Sequence, residues 1–235
     1  MSEMHSYERS YHSQNGEDGI LQELFTRIGE TNRYFVEFGV ENGLQCNTYF
    51  LAAHRGWSGL MMEGSPLLFP QLQVHLAPYP QVKTAHHFIT RENIVSLFGL
   101  YGVPPEPDLL SIDIDGNDYW VWQALSGYRP RVVVIEYNAA YPPPRRMVVR
   151  YNPDFQWNGT TYYGASLSSL AELGKQLGYA LIGTDSRGVN AFFVRRDVLP
   201  SSGFPELTAG QAYNPPGYGL PGIGHPHGSG PIVDG

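Results

Sequence analysis

"LLSIDIDGNDYWVW", residues 109–122, reads as a strand that surfaces into an acidic turn and re-enters the protein as a helix. Leu109, Leu110 and Ile112 form the apolar run, and Asp113, Asp115 and Asp118 then fall within six positions. Carboxylates this close repel one another unless a cation relieves them. Strand, polar turn and helix make one βα unit. The fold follows from whether its neighbours repeat it.

They do, on both sides. Upstream, "TRENIVSLFGLYG" (90–102) has helical spacing, and "QVKTAHHF" (81–88), "WSGLMMEG" (57–64) and "RYFVEFGV" (33–40) are short strands. "NTYFLAAHRG" (47–56) is a helix closed by Gly56, and another is expected over Gly16–Ile28, capped by Asn15 with Asp18 in its first turn. Its apolar stripe is Ile20, Leu21, Leu24, Phe25 and Ile28. Downstream, "NDYWVWQALSG" (117–127) is a helix ended by Gly127, and "RVVVIEYN" (131–138) is a strand covered on both faces. "ASLSSLAELGKQLG" (165–178) is a further helix. "YALIGTD" (179–185) and "NAFFVRR" (190–196) form a hairpin around "SRGV", the only connection short enough to force antiparallel pairing. Helices alternating with strands, then a hairpin, predict an α/β domain with a mostly parallel seven-stranded sheet and an antiparallel C-terminal hairpin strand.

One domain over residues 1–200 suits this length, with an aromatic and proline-rich insert at 139–164 covering a substrate. Residues 201–235 hold 9 glycines and 6 prolines, a composition that cannot build its own core, so they form a tail, a strap or a disordered end. The formal net charge of −7 argues against nucleic acid or an anionic membrane as partner. Neither a signal pattern nor a spanning apolar run is visible, and Cys46 stands alone, which excludes an internal disulfide and thiolate metal clusters. A cytoplasmic protein is expected, and Asn158-Gly159-Thr160 is an accidental glycosylation match.

In open parallel sheets, ligands bind beyond the carboxyl ends of the strands. The predicted strand exits carry Glu37-x-Gly39-x-x-x-Gly43, Glu63, His86-His87, Asp113-x-Asp115 and Glu136-x-Asn138. Five polar exits above nearly uncharged strand interiors suggest one shared crevice. The glycines allow a sharp turn and close approach to a ligand. Glu63, about 20 residues on, stands where a carboxylate accepts ribose hydroxyls. Together they indicate a nucleoside-containing ligand, and without Gly-x-Gly-x-x-Gly NAD is disfavoured.

As a set, "SQNGEDGIL" (13–21), "FVEFGVENG" (35–43), "GLMMEG" (59–64), "DLLSIDIDGND" (108–118) and "VVVIEYN" (132–138) resemble the FkbM-like S-adenosylmethionine-dependent methyltransferases, over roughly Ser13–Asp197. The resemblance implies a Rossmann-like class I methyltransferase fold, with Glu37, Gly39 and Gly43 against the methionine and ribose parts of S-adenosylmethionine and Glu63 against the ribose. Many relatives carry acid-x-Glu-Gly-His-Glu after the fourth strand, where this chain has Asp113-Ile-Asp115-Gly116-Asn117-Asp118. Gln14, Asn15 and Glu17 are placed to close over the cofactor, although helix capping explains them equally.

Asp113, Asp115, Glu136 and Asn138 offer only oxygen ligands, the donors Mg²⁺ prefers. Metal-dependent O-methyltransferases of similar fold carry acids and an Asn at these strand ends, and the resemblance extends to that pattern. Asp118 is read as a helix cap. The expected chemistry is Mg²⁺-assisted methylation of a hydroxyl on a small metabolite or natural product, with Asp113 catalytic and His86 and His87 as candidate bases. Arg145, Arg146 and Arg150 with Tyr151, Phe155, Trp157, Tyr162 and Tyr163 are expected to contact a ring or sugar, and a homodimer interface suits the insert as well. The competing readings are a glycosyltransferase holding a metal–diphosphate on Asp113-x-Asp115 and a non-catalytic adenosyl-binding module.

Overall fold

The computed structural model describes residues 3–220 and 224–235. Five parallel strands, β1 (Tyr34–Phe38), β2 (Ser58–Glu63), β3 (Val82–His86), β4 (Leu109–Ile112) and β5 (Val132–Glu136), are joined by crossover segments. These hold helices α2 (Tyr49–Arg55), α3 (Phe69–Leu76), α4 (Ile94–Tyr101) and α5 (Asp118–Ala124), and α1 (Glu17–Ile28) precedes β1. After a two-residue strand β6 (Val148–Val149) come α6 (Leu167–Gln176), β7 (Tyr179–Thr184) and β8 (Asn190–Arg195). The sheet order is β3-β2-β1-β4-β5-β8-β7, with β8 antiparallel to both neighbours. This is the expected Rossmann-like α/β architecture, a mostly parallel seven-stranded sheet with its reversed strand inserted between parallel ones.

Two apolar layers explain why the sheet forms. Ile20, Leu21, Leu24 and Phe25 of α1 pack with Leu51, Leu72 and Trp57 against Phe35, Met61, Val132 and Phe192. On the opposite face, Leu97 and Phe98 of α4, Trp122 of α5 and Leu170 of α6 cover Val36, Leu110, Val133 and Phe193. Strands buried on both faces need continuous apolar runs, and "VVVI" of β5 supplies one.

Two helix ends differ from expectation. α1 begins at Glu17 behind Gly16, which has φ 92° and no side-chain cap. Asp18 instead accepts the amides of Tyr11, His12 and Ser13, fixing the segment before the helix. α5 stops at Ala124, ahead of Gly127. A helix in "SPLLFPQLQVHL" was not anticipated from periodicity, and α3 forms there with Pro70 in its first turn, where the missing N–H costs nothing.

The described residues beyond Pro200 form a strap. Two short helices, α7 (Leu199–Ser202) and α8 (Ala209–Ala212), are followed by β9 (Ile232–Val233), which pairs antiparallel with β6 in the insert. Between them Tyr137 donates to the Asn214 carbonyl at 2.7 Å, Thr161 N donates to Pro226 and Tyr162 OH to Pro231. No helix among the described residues is long and apolar enough to cross a membrane.

Candidate active site

The switch in strand order lies between the parallel strands β1 and β4, and there the two segments nearly touch. A Cβ built on Gly39 (φ 78°) would stand 1.4 Å from the Asp113 carbonyl, so only glycine fits. Glu41 and Asp115, at φ 51° and 57°, hold left-handed backbone on either side of this point. Such conformations persist where surrounding structure imposes them, commonly at ligand sites.

Two cavities open from the switch point and share Gly39, Glu41, Asp113, Asp115 and Trp157. The outer one, about 460 Å³, is lined by Glu63, Leu68, His87, Phe88 and Ile89. The inner one, about 290 Å³, is lined by carboxylates, with Glu136, Glu17 and Glu37 joining Asp113 and Asp115. One ligand atom from each of Asp113, Asp115 and Glu136 falls within 4.8 Å of the others.

Electrostatics follow from this crowding. Burial first, then Asp115, Asp118 and Glu37, hold the Asp113 carboxyl well above the usual range. Burial and the charges of Asp113, Asp115 and Asp118 do the same to Glu136. Asp115 is pushed up to about 6 by burial and by Asp118 and Glu41, although part of the residue faces solvent. Oε2 of Glu136 is buried without a hydrogen-bond partner. An orphaned acceptor beside two further carboxylates suits a hard divalent cation, which would supply the missing positive charge.

Other expected site residues have local work. Glu37 spends both oxygens on four donors: Asn47 N, Thr48 N, Thr48 Oγ1 and Ser111 Oγ, all within 3.1 Å. It therefore anchors the start of α2 while forming the cavity floor. Glu63 accepts Ser65 N and Glu41 N, 2.6 and 2.7 Å away, leaving lone pairs toward the outer cavity. Gly43 serves packing, since its Cβ would strike Leu72 at 2.6 Å. Gln14 lines the inner cavity and bonds Gln45 at 3.3 Å.

Asn138 does not join the acidic trio. Its Nδ2 donates to the carbonyls of Thr161 and Tyr163 and its Oδ1 accepts Ala140 N, so the amide pins the insert instead of facing a metal. Asp118 accepts the Ile114 and Gly116 amides, both at 2.8 Å, and so closes the acidic turn from within α5. His86 lies outside both cavities, stacked on Phe69 and bonded to the Gly64 carbonyl. His87 lines the outer cavity, with Nε2 2.8 Å from Tyr101 OH. In the insert, Phe155 and Trp157 reach the cavities. Arg145 lies over Tyr141, Arg146 pairs with Glu172, and Tyr151 bonds Glu92 under Arg91, all away from the site.

No protein-family model matches the sequence, and no curated protein matches it. Solved structures do show likeness. The N-terminal domain of EvdMO1 with SAH bound gives a TM-score of 0.49 at 13% identity, covering 78% of this chain and 81% of that one. The CMeT domain of the citrinin polyketide synthase gives 0.48 at 14% identity over 76% and 51% of the two chains. A Methanococcus jannaschii fibrillarin pre-rRNA processing protein gives 0.49 at 8% identity over 77% and 76%. At such identities the chemistry of the pocket must be read from its own side chains.

Among the lining residues that escaped sequence reading are Gln45, Asn47, Asn190, Tyr218 and His225. Asn190 had a signal. An antiparallel strand beside β5 starts where β5 ends, and Asn190 is indeed in register with Glu136. Tyr218 and His225 come from the strap and had none.

Proposed function

We propose that this chain is an S-adenosylmethionine-dependent methyltransferase of the FkbM-like kind, acting on a hydroxyl of a small molecule. One observation carries the reading: the outer cavity with Glu63 and the inner acidic cavity meet at the Gly39–Asp113 contact. An adenosyl group held by Glu63, Phe88 and Ile89 would direct its sulfonium end toward the acidic cavity, where the acceptor lies. Asp113, Asp115 and Glu136 would hold Mg²⁺, which when bound would lower the pKa of the acceptor hydroxyl.

The chain itself aligns the reactants and excludes water, which is most of what an already activated sulfonium requires. A cytoplasmic enzyme, a small-molecule partner and dimer contacts through the insert are the setting this reading implies. Calorimetry with S-adenosylhomocysteine and with a nucleotide sugar, each with and without Mg²⁺, tests it. Binding of the former alone is expected; binding of the sugar nucleotide alone overturns it.

A further inference from the structure

The inner cavity has a second wall that the transferase reading leaves unused. Trp157 of the insert and Tyr218 and His225 of the strap line it, with Trp157 edge to face against His225 and Tyr218 tilted against it. The Trp157 and His225 centroids are 4.6 Å apart, and those of Tyr218 and His225 5.0 Å. Tyr163 supports this group from behind through its hydroxyl contact with Tyr218 at 2.7 Å. Burial lowers the His225 pKa, favouring the neutral ring, so the wall carries no competing positive charge.

The remaining lining is rich in carboxylates, with Glu17, Glu37 and Glu41 beside the acidic trio. No Lys or Arg lines the cavity among the described residues. Asn190 is 4% exposed, and its Nδ2 donates to Glu17 at 2.8 Å, which fixes the amide so that Oδ1 is a free acceptor. That oxygen is buried without a partner. Unpartnered buried acceptors require a donor, and aromatic faces beside carboxylates attract cations.

We infer that the strap and insert form a box for an organic ammonium group, a protonated or N-methylated amine carried by the methyl acceptor. Its N–H or N–CH₃ face would meet Asn190 Oδ1, and its carbon skeleton the rings of Trp157, Tyr218 and His225. The box as an acceptor site rests on the methyltransferase reading; the box as a cation site does not.

The experiment titrates choline and its neutral carbon isostere 3,3-dimethyl-1-butanol into the full chain in Mg²⁺ buffer. Each titration is run with and without saturating S-adenosylhomocysteine and followed by calorimetry. Choline is expected to bind at least about tenfold tighter than the isostere. Trp157→Leu and His225→Lys should remove choline binding, Trp157→Phe should retain most of it, all three should keep the wild-type unfolding temperature, and His225→Lys, which lies outside the outer cavity, should also keep the wild-type nucleoside affinity. Equal binding of choline and isostere, or of neither, overturns the box. Choline binding without S-adenosylhomocysteine binding would leave the box standing and remove the transferase reading.

Discussion

Glu63 holds the backbone of Glu41: its Oε2 accepts the Glu41 amide at 2.7 Å across the top of the sheet, shaping the loop that follows β1. The carboxylate thus both builds the outer cavity and faces it. Glu63→Ala should weaken S-adenosylhomocysteine about 10- to 100-fold, the scale of losing one or two charge-assisted hydrogen bonds. Glu63→Gln should lose less. Unchanged affinity in the alanine variant, measured by calorimetry, would separate Glu63 from the ribose.

Gly39→Ala should be far more damaging than its size suggests, because the new Cβ meets a backbone oxygen that cannot yield. A loss of roughly 3 kcal/mol or more, with S-adenosylhomocysteine binding abolished, is expected in urea unfolding. Gly43→Ala meets only the side-chain ends of Leu72 and Leu76 and should cost less, although its φ of 83° still imposes strain. A Gly39 variant as stable as wild type would contradict the close approach of β1 and β4.

The acidic turn makes stability and metal binding depend on pH in opposite senses. Asp115 titrates near 6 in the fold and near 4 when unfolded, so between those values the folded chain holds the extra proton. Its contribution is therefore complete below about pH 4 and lost as pH rises through about 6. Mg²⁺ requires the ionised form, so its stabilisation should grow over the same interval. Asp115→Asn should flatten both trends in thermal melts recorded from pH 4.5 to 8 with and without Mg²⁺.

Arg131 and Asp108 form a buried pair at 2.8 Å on the opposite side of the sheet from the site mouth, at the strand entrances. Burial alone would raise the Asp108 pKa, but Arg131, the Thr31 hydroxyl and nearby amides outweigh it and hold it below the usual range. Its stabilisation is present above about pH 4 and lost as pH falls through the lowered value. Arg131→Met should cost about 3–5 kcal/mol and move the acid-unfolding midpoint upward, with nucleoside affinity unaffected. A midpoint that stays in place would mean the four remaining donors to Asp108 suffice.

Most of the sheet was legible because buried strands must be apolar and their exits need not be. Glu37, Glu63, Asp113 and Glu136 were found by that contrast, and the structure gathers all four around the two cavities. Their separate duties were not legible. Nothing local distinguishes Glu37, saturated by four donors, from Glu136, left with a bare oxygen. His86 and His87 share one exit, but His86 ends β3 stacked on Phe69 and only His87, just past the strand, meets a cavity. The strap was illegible for another reason. Its Gly and Pro residues carry no periodicity, and it is ordered by contacts with an insert some 70 residues earlier, such as Tyr162 to Pro231.

The placement of β8 also bears on how the chain reaches its native state. β5 pairs with β4 on one side, but its other edge stays bare until Asn190–Arg195 arrives, after the whole insert and α6 have been made. Until then "VVVIE" offers unsatisfied amides and carbonyls on a strongly aliphatic ribbon, a template for intermolecular pairing. Slow folding and a tendency to coaggregate during synthesis are the natural cost of closing a parallel sheet with its last reversed strand.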